Sequence, residues 1–257
     1  MTYFQDFLSL LIGALAISFA AEKVVTSVVL GGALLLAGLC WWACSVYSHL
    51  WNRRFRVSII HHVMCAFAAI ITLLASIVFV SLKHAETAAG ISVEAWKVEL
   101  GLDMVWANST FASAYQKVKA LGLEDFSKAP PPPLGSTIPA VNERSQIECA
   151  YTYATSAANH FNRRRPYLSS ISSAKAEIPR DVLREDIRLH FATIGNTYPT
   201  EKAISLVSRE IRQDLRAKLP RVVKVLRIQL LLVFFLCQLI PFGLVGWAAY
   251  RDLKARA

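Results

Sequence analysis

Four side chains in the apolar first quarter of this chain have metal-ligand chemistry at helical spacing. Cys40 and Cys44 are four residues apart, and so are His61 and Cys65. Positions i and i+4 share a helix face, and the loop between the two pairs is short enough to bring Cys44 and Cys65 to similar depth. Two thiols and an imidazole could then ligate zinc, or the His61-His62 pair could supply an axial haem ligand. Against this, a C-x3-C spacing lacks the paired C-x2-C pattern of dedicated zinc sites, and cysteine is a common small apolar residue in buried helices. The expectation is no metal and no cofactor, with Cys40, Cys44, His61 and Cys65 as weak candidates.

Other candidates for chemistry are sparse. Glu94, Glu99 and Asp103 lie within one expected helix, where Glu99 and Asp103 could share a face, but no base is indicated to partner them. His160 and His190 fall on or beside apolar stripes, as core or boundary residues do. No G-x-S-x-G, H-E-x-x-H, P-loop or G-x-G-x-x-G occurs. Asn108-Ser109-Thr110 matches a glycosylation sequon but falls mid-helix. The chain is expected not to be an enzyme.

The elements that carry these residues are set by composition. Of 257 residues, 54 % are hydrophobic and 18 % charged, outside ordinary globular usage, and the apolar excess is blocked rather than spread. Residues 57–82 contain no Asp, Glu, Lys or Arg and extend about 39 Å as a helix, enough to cross a hydrocarbon core of about 30 Å. Residues 24–47 read as a second span, with Gly31, Gly32 and Gly38 allowing close helix approach and Trp41, Trp42 and Tyr47 as an interfacial belt. Residues 7–21 read as a first span, with a cleaved signal as the alternative, although no Lys or Arg precedes them. Residues 228–250 form the last, where Pro241 should kink the helix.

Charge then orients the spans. The formal net charge is +10, and in such a chain this reflects Lys and Arg at lipid headgroups rather than nucleic-acid binding. Arg53, Arg54 and Arg56 place their short loop in the cytoplasm, as Arg251 does for the tail, so both termini are expected inside and the domain after the third span outside. Arg216, Lys218, Arg221, Lys224 and Arg227 crowd the start of the last span on the other side. All nine are candidate headgroup contacts.

Between the third and fourth spans the periodicity is helical throughout. Trp96, Leu100, Met104, Ala107, Phe111, Tyr115 and Val118 mark one buried face, with Ser92 as a plausible N-cap. Ile147, Tyr151, Ala154, Ala158 and Phe161 mark a second helix that ends before Pro166. A third should begin near Pro179 with Val182, Leu183, Ile187, Phe191 and Ile194 inward, and Thr200 can cap a fourth whose stripe is Ile204, Val207, Ile211, Leu215 and Leu219. The stretch 129–139 should be a polyproline spacer. Asn162 to Pro166, NRRRP, reads as a solvated helix end, with anionic lipid or an acidic partner as the alternative. Arg180, Arg184 and Arg188 form an exposed, charge-interleaved stripe.

The predicted fold is therefore an all-α, four-span integral membrane protein with a helical-bundle soluble domain inserted between spans 3 and 4. Its parts are a membrane hairpin and basic loop (1–56), a third span (57–82), the helical domain (83–220), and a fourth span with a short basic tail (221–257). This order resembles the plan of tetraspanins. The resemblance is one of topology alone, since their Cys-Cys-Gly motif has no counterpart here and Cys149, the single cysteine of the helical domain, cannot form a disulfide within it. The functional expectation is a non-enzymatic protein of a plasma or bacterial inner membrane, contacting lipids. Its helical domain would bind a protein partner or a second copy, in an envelope assembly. A pore or exporter subunit and a sensor acting through a partner are the alternatives. A proton-coupled carrier is disfavoured because the spans hold little beyond Gln229 and Gln238 that is strongly polar.

Overall fold

The computed structural model describes residues 2–51, 58–121, 143–172, 185–189 and 199–256, and among these every regular element is helical. The basic loop with Arg53, Arg54 and Arg56, the proline-rich stretch, His190 and most of the expected third helix lie outside the described residues.

Helix α1 (Tyr3–Ala21) meets α2 (Lys23–Trp51) at Glu22 alone. The Glu22 N–H donates to the Ser18 carbonyl at 3.0 Å and its own carbonyl accepts from the Thr26 N–H at 2.8 Å, so one residue closes one helix and opens the next. The Thr26 hydroxyl also bonds the Ser18 carbonyl, at 2.8 Å. Helix α3 (Ile59–Ser81) passes through a 3-10 turn (Leu82–His84) into α4 (Ala85–Leu102), with right-handed helical angles at both Leu82 and Ala85. Then come α5 (Met104–Ala120), α6 (Glu143–Arg164), the short α7 (Pro166–Ile171) and the 57-residue α8 (Thr200–Arg256). Four helical stretches are long and apolar enough to cross a membrane: Tyr3–Ala21, Thr26–Leu50, Ile59–Leu102 and Thr200–Ala255.

The chain divides into two compact units. One comprises Met1–Leu10 and Ala89–Leu219, the other Leu11–Ala88 and Pro220–Ala257. In the first unit the core is built on Trp96, Leu100, Tyr153, Phe161, Leu168 and Ile211, all almost fully buried. Trp96 and Phe161 meet edge to face with ring centroids 5.1 Å apart, which joins α4 to α6. In the second unit α2 packs along α3, and Cys44, Cys65 and Val245 form a small core with Met64 and Phe242 against it.

Three sequence expectations change. The single helix expected over 96–118 is two, broken at Asp103, whose carboxylate accepts from the Trp106 N–H at 2.9 Å as an N-cap. The break shifts the phase, so Trp106 is buried while Met104 is exposed, and Ser92 lies inside α4 rather than capping it. The stripe Ile204, Val207, Ile211, Leu215 and Leu219 is buried as expected, but its helix does not stop near Pro220. Continuing costs the carbonyl four residues back one partner, whereas a break would orphan several carbonyls and amides. Finally, a Cβ at Gly31, Gly32 or Gly38 would meet nothing within 4 Å, so these glycines mediate no close approach here. Gly13 does, with its Cβ position 3.9 Å from the Ala88 Cβ.

Candidate functional site

A polar cleft of about 340 Å³ lies between α5 and α6 in the first unit. Its walls carry the hydroxyls of Ser109, Ser113, Thr152, Thr155 and Ser156, with Asn159, His160, Lys117 and Arg163. Two buried tryptophans hold it. The Trp106 indole N–H donates to Ser156 Oγ at 2.9 Å, and Ser156 shares a second bond with the Thr110 hydroxyl at 2.8 Å. The Trp96 indole N–H donates to His160 Nδ1 at 3.0 Å.

That last bond fixes the imidazole. An indole N–H is only a donor, so Nδ1 must be unprotonated and the neutral ring carries its proton on Nε2. Burial, with Arg164 nearby, holds His160 below the usual histidine pKa. With Nδ1 occupied and Nε2 protonated, His160 has no free lone pair to take a proton from Ser156, which sits four residues away. The cleft offers hydrogen-bond donors, an amide and two cations. Such groups complement a polar or anionic group.

A second polar cluster joins the start of α1 to α7. Asp6 is buried, its carboxylate 3.5 Å from the Arg165 guanidinium, and it accepts from the backbone N–H groups of Tyr167 at 2.9 Å and Leu168 at 3.3 Å. Tyr3 and Phe7 stack edge-on against the Tyr167 ring. Burial raises the Tyr167 phenol to about 12. Adjacent Arg164 pairs with Glu99 at 3.3 Å. In the NRRRP stretch Arg163 and Arg164 are exposed, as a solvated helix end requires, while Arg165 is turned inward to Asp6. The sequence reading expects Asp6 and Arg165 on opposite sides of a membrane, whereas in the structure their side chains are in contact. The signal was available, because Asp6 is the only charged residue before Glu22 and an ionisable group in an apolar segment needs a partner.

No protein-family model, curated protein or solved structure matches this chain.

The weak metal candidates separate into ordinary packing. Cys44 and Cys65 do meet, inside the small apolar core. Cys40 instead donates to Gln238 Oε1 at 3.6 Å, and His61 Nδ1 accepts from the Ser58 N–H at 3.3 Å at the start of α3. Among the described residues no group of three His, Cys, Asp or Glu side chains is placed to hold a metal ion. Glu94 pairs with Arg212, and Asp103 caps a helix.

The basic residues before the last apolar segment are heterogeneous. Lys218 pairs with Asp214 at 2.8 Å, Arg216 lies beside Arg209 and Arg212, and Arg221 and Lys224 are exposed. Arg227 lies over the Phe79 ring, 5.3 Å from its centroid, and Arg251 over Trp247 at 5.6 Å. Sequence periodicity misses Gln238 as a structural hub: its amide donates to the Ala68 carbonyl and the Thr72 hydroxyl, both at 3.0 Å, tying α8 to α3.

Proposed function

We propose a non-enzymatic integral membrane protein whose helical unit stands on one side of the bilayer and docks a partner protein or a second copy. The observation that carries this reading is an apolar stripe left open on α4. Ile91, Val98 and Leu102, and beyond the Asp103 break Met104 and Val105, are all more than half exposed, while Val93, Trp96 and Leu100 of the same helix are buried. Contiguous exposed apolar surface marks interaction sites. Helix α4 also carries Glu86, Glu94, Lys97 and Glu99, so lipid is a poor cover for it.

The sidedness follows from α1. Its first turn is bound to Arg165, its Gly13 lies against Ala88, and at its end the Glu22 carboxylate, held below the usual range by Lys83, bonds Lys83 Nζ at 2.8 and 3.0 Å. All of these partners follow the third apolar segment. In this reading α1, whose start belongs to the first unit and whose remainder belongs to the second, makes no crossing, and α2, α3 and the apolar half of α8 make three. The Arg53, Arg54 and Arg56 loop and the Arg251 tail take the cytoplasmic side of a plasma or bacterial inner membrane, and the N-terminus lies opposite. The absence of Lys and Arg before Glu22 agrees with a translocated N-terminal segment.

Two experiments test this. With Thr2→Cys, Val105→Cys and Leu253→Cys introduced singly, an impermeant maleimide on intact cells should label the first two and not the third; labelling of Thr2→Cys and Val105→Cys from opposite sides refutes the sidedness. A photo-crosslinking residue at Val98, Leu102 or Val105 should give one discrete protein adduct in native membranes, and none from Arg209. Equal adducts from all four positions, or lipid adducts alone, refute the docking stripe.

A further inference from the structure

We propose that the second unit binds one anionic phospholipid, with an acyl chain in a groove between α2, α3 and α8 and the phosphate on Arg227. The groove has a volume of about 800 Å³ and is walled by Val29, Leu36 and Ala43 of α2, Phe79 of α3, and Leu230 and Phe234 of α8. From Val29 to Ala43 it follows α2 for about 21 Å, more than half of a hydrocarbon core of about 30 Å. That length suits one extended chain.

The lining is drier than its sequence implies. Of its polar members, the Thr72 hydroxyl donates to the Ala68 carbonyl and accepts from Gln238, the Ser76 hydroxyl donates to the Thr72 carbonyl, and the Cys40 thiol donates to Gln238. Each is engaged with the protein itself, which leaves a surface fit for hydrocarbon and unfit for water or a polar ligand.

One end of the groove is different. Phe79 forms its wall there, and the Arg227 guanidinium lies over the Phe79 ring, 5.3 Å from the centroid. Arg227 Nε is buried with no hydrogen-bond partner, and no carboxylate pairs with this guanidinium among the described residues. A guanidinium against an aromatic wall, short of both a counter-charge and an acceptor, is costly to bury. A phosphate oxygen supplies both in the planar geometry that arginine favours. Hydrocarbon along the groove and a phosphate at its end call for a phospholipid rather than a free phosphate, and a guanidinium lacking a counter-charge favours a headgroup whose phosphate is not already offset by a cation of its own, hence an anionic one over phosphatidylcholine.

The test is native mass spectrometry of the full-length protein in neutral detergent with equimolar phosphatidylglycerol and phosphatidylcholine of matched chains. The wild type should keep one phosphatidylglycerol per protomer, preferred about tenfold, the worth of one charge-assisted contact. R227Q should lose that preference, R227K keep part of it, and the exposed R221Q leave it unchanged. G32L, whose side chain enters open space in the groove wall, should lose both lipids while keeping its helical circular dichroism. Equal retention of the two lipids by the wild type, equal effects of R227Q and R221Q, or displacement by glycerol 3-phosphate alone would overturn the proposal. So would a lipid-free dimer that G32L abolishes, because the groove would then hold a second copy.

Discussion

Replacing Asp6 by alanine should damage the helical unit far more than an ordinary surface substitution does. In the wild type the Asp6 side chain is 2 % exposed, and its partner Arg165 is 17 % exposed at 3.5 Å. D6A leaves that guanidinium largely buried without its carboxylate and leaves the Tyr167 and Leu168 N–H groups without an acceptor. Breaking a buried pair from one side costs about 3–5 kcal/mol. Because Arg165 retains some access to water, the lower end, about 3 kcal/mol, is the better figure. At about 2–4 °C per kcal/mol for a chain of this size, the melting temperature should fall by roughly 6–12 °C. D6N keeps one acceptor oxygen and should fall between. D6A/R165M removes both charges and should recover part of the loss, as replacement of a whole buried pair does. Tryptophan fluorescence melting of the full chain in detergent reads this directly, since Trp96 and Trp106 are buried in that unit. If D6A melts within about 2 °C of wild type, equivalent to less than one kcal/mol, the buried pair does not hold α1 in place.

Other outcomes follow from the same geometry. His160 resists protonation when folded, chiefly through burial and then the charge of Arg164, with Glu99 and Asp103 opposing. The unfolded chain therefore takes up a proton near pH 6.5 that the folded chain refuses. Stability should fall as pH drops below about 6.5 and level off below the folded-state pKa, and H160Q should flatten that slope in melts from pH 5 to 8. The Cys149 thiol is fully buried and pushed up to about 12, so it should stay unlabelled by maleimide at pH 7 until denaturant is added, and its labelling kinetics should follow unfolding. Q238L removes the donors to Ala68 and Thr72 and should destabilise by about 0.6–1.7 kcal/mol, the range of hydrogen bonds between membrane helices; reversible unfolding in mixed micelles checks it.

The sequence displays most clearly what depends on local pattern. The 204–219 stripe reads correctly because five apolar residues at helical spacing face one core, and the apolar segments read correctly because composition alone makes them long enough to span. What it hides are contacts between distant residues. Nothing local distinguishes Arg165 from Arg163 and Arg164, yet it alone of the three meets Asp6. The Asp103 break is legible only in retrospect: an aspartate inside a good helical period can be solvent-facing or a cap, and the choice depends on how deeply Trp106 is buried. Likewise the Cys40 and Cys44 pair carries its spacing on the page, while the Gln238 amide that engages one member lies nearly 200 residues away. The cleft lined by Ser109, Ser156 and His160 gave no signal, because hydroxyls scattered over two helices form no motif until the helices pack.

The pairing of Asp6 with Arg165 also constrains how this protein is made. At a synthesis rate of about 5–20 residues per second, roughly 8–30 seconds separate the appearance of the two residues. Through that interval the N-terminal helix is a greasy segment bearing an unmatched acid, and it must be kept from settling elsewhere in the translocation machinery or the bilayer. A segment fused ahead of Asp6 would therefore act on a junction that is completed only once Arg165 has been made.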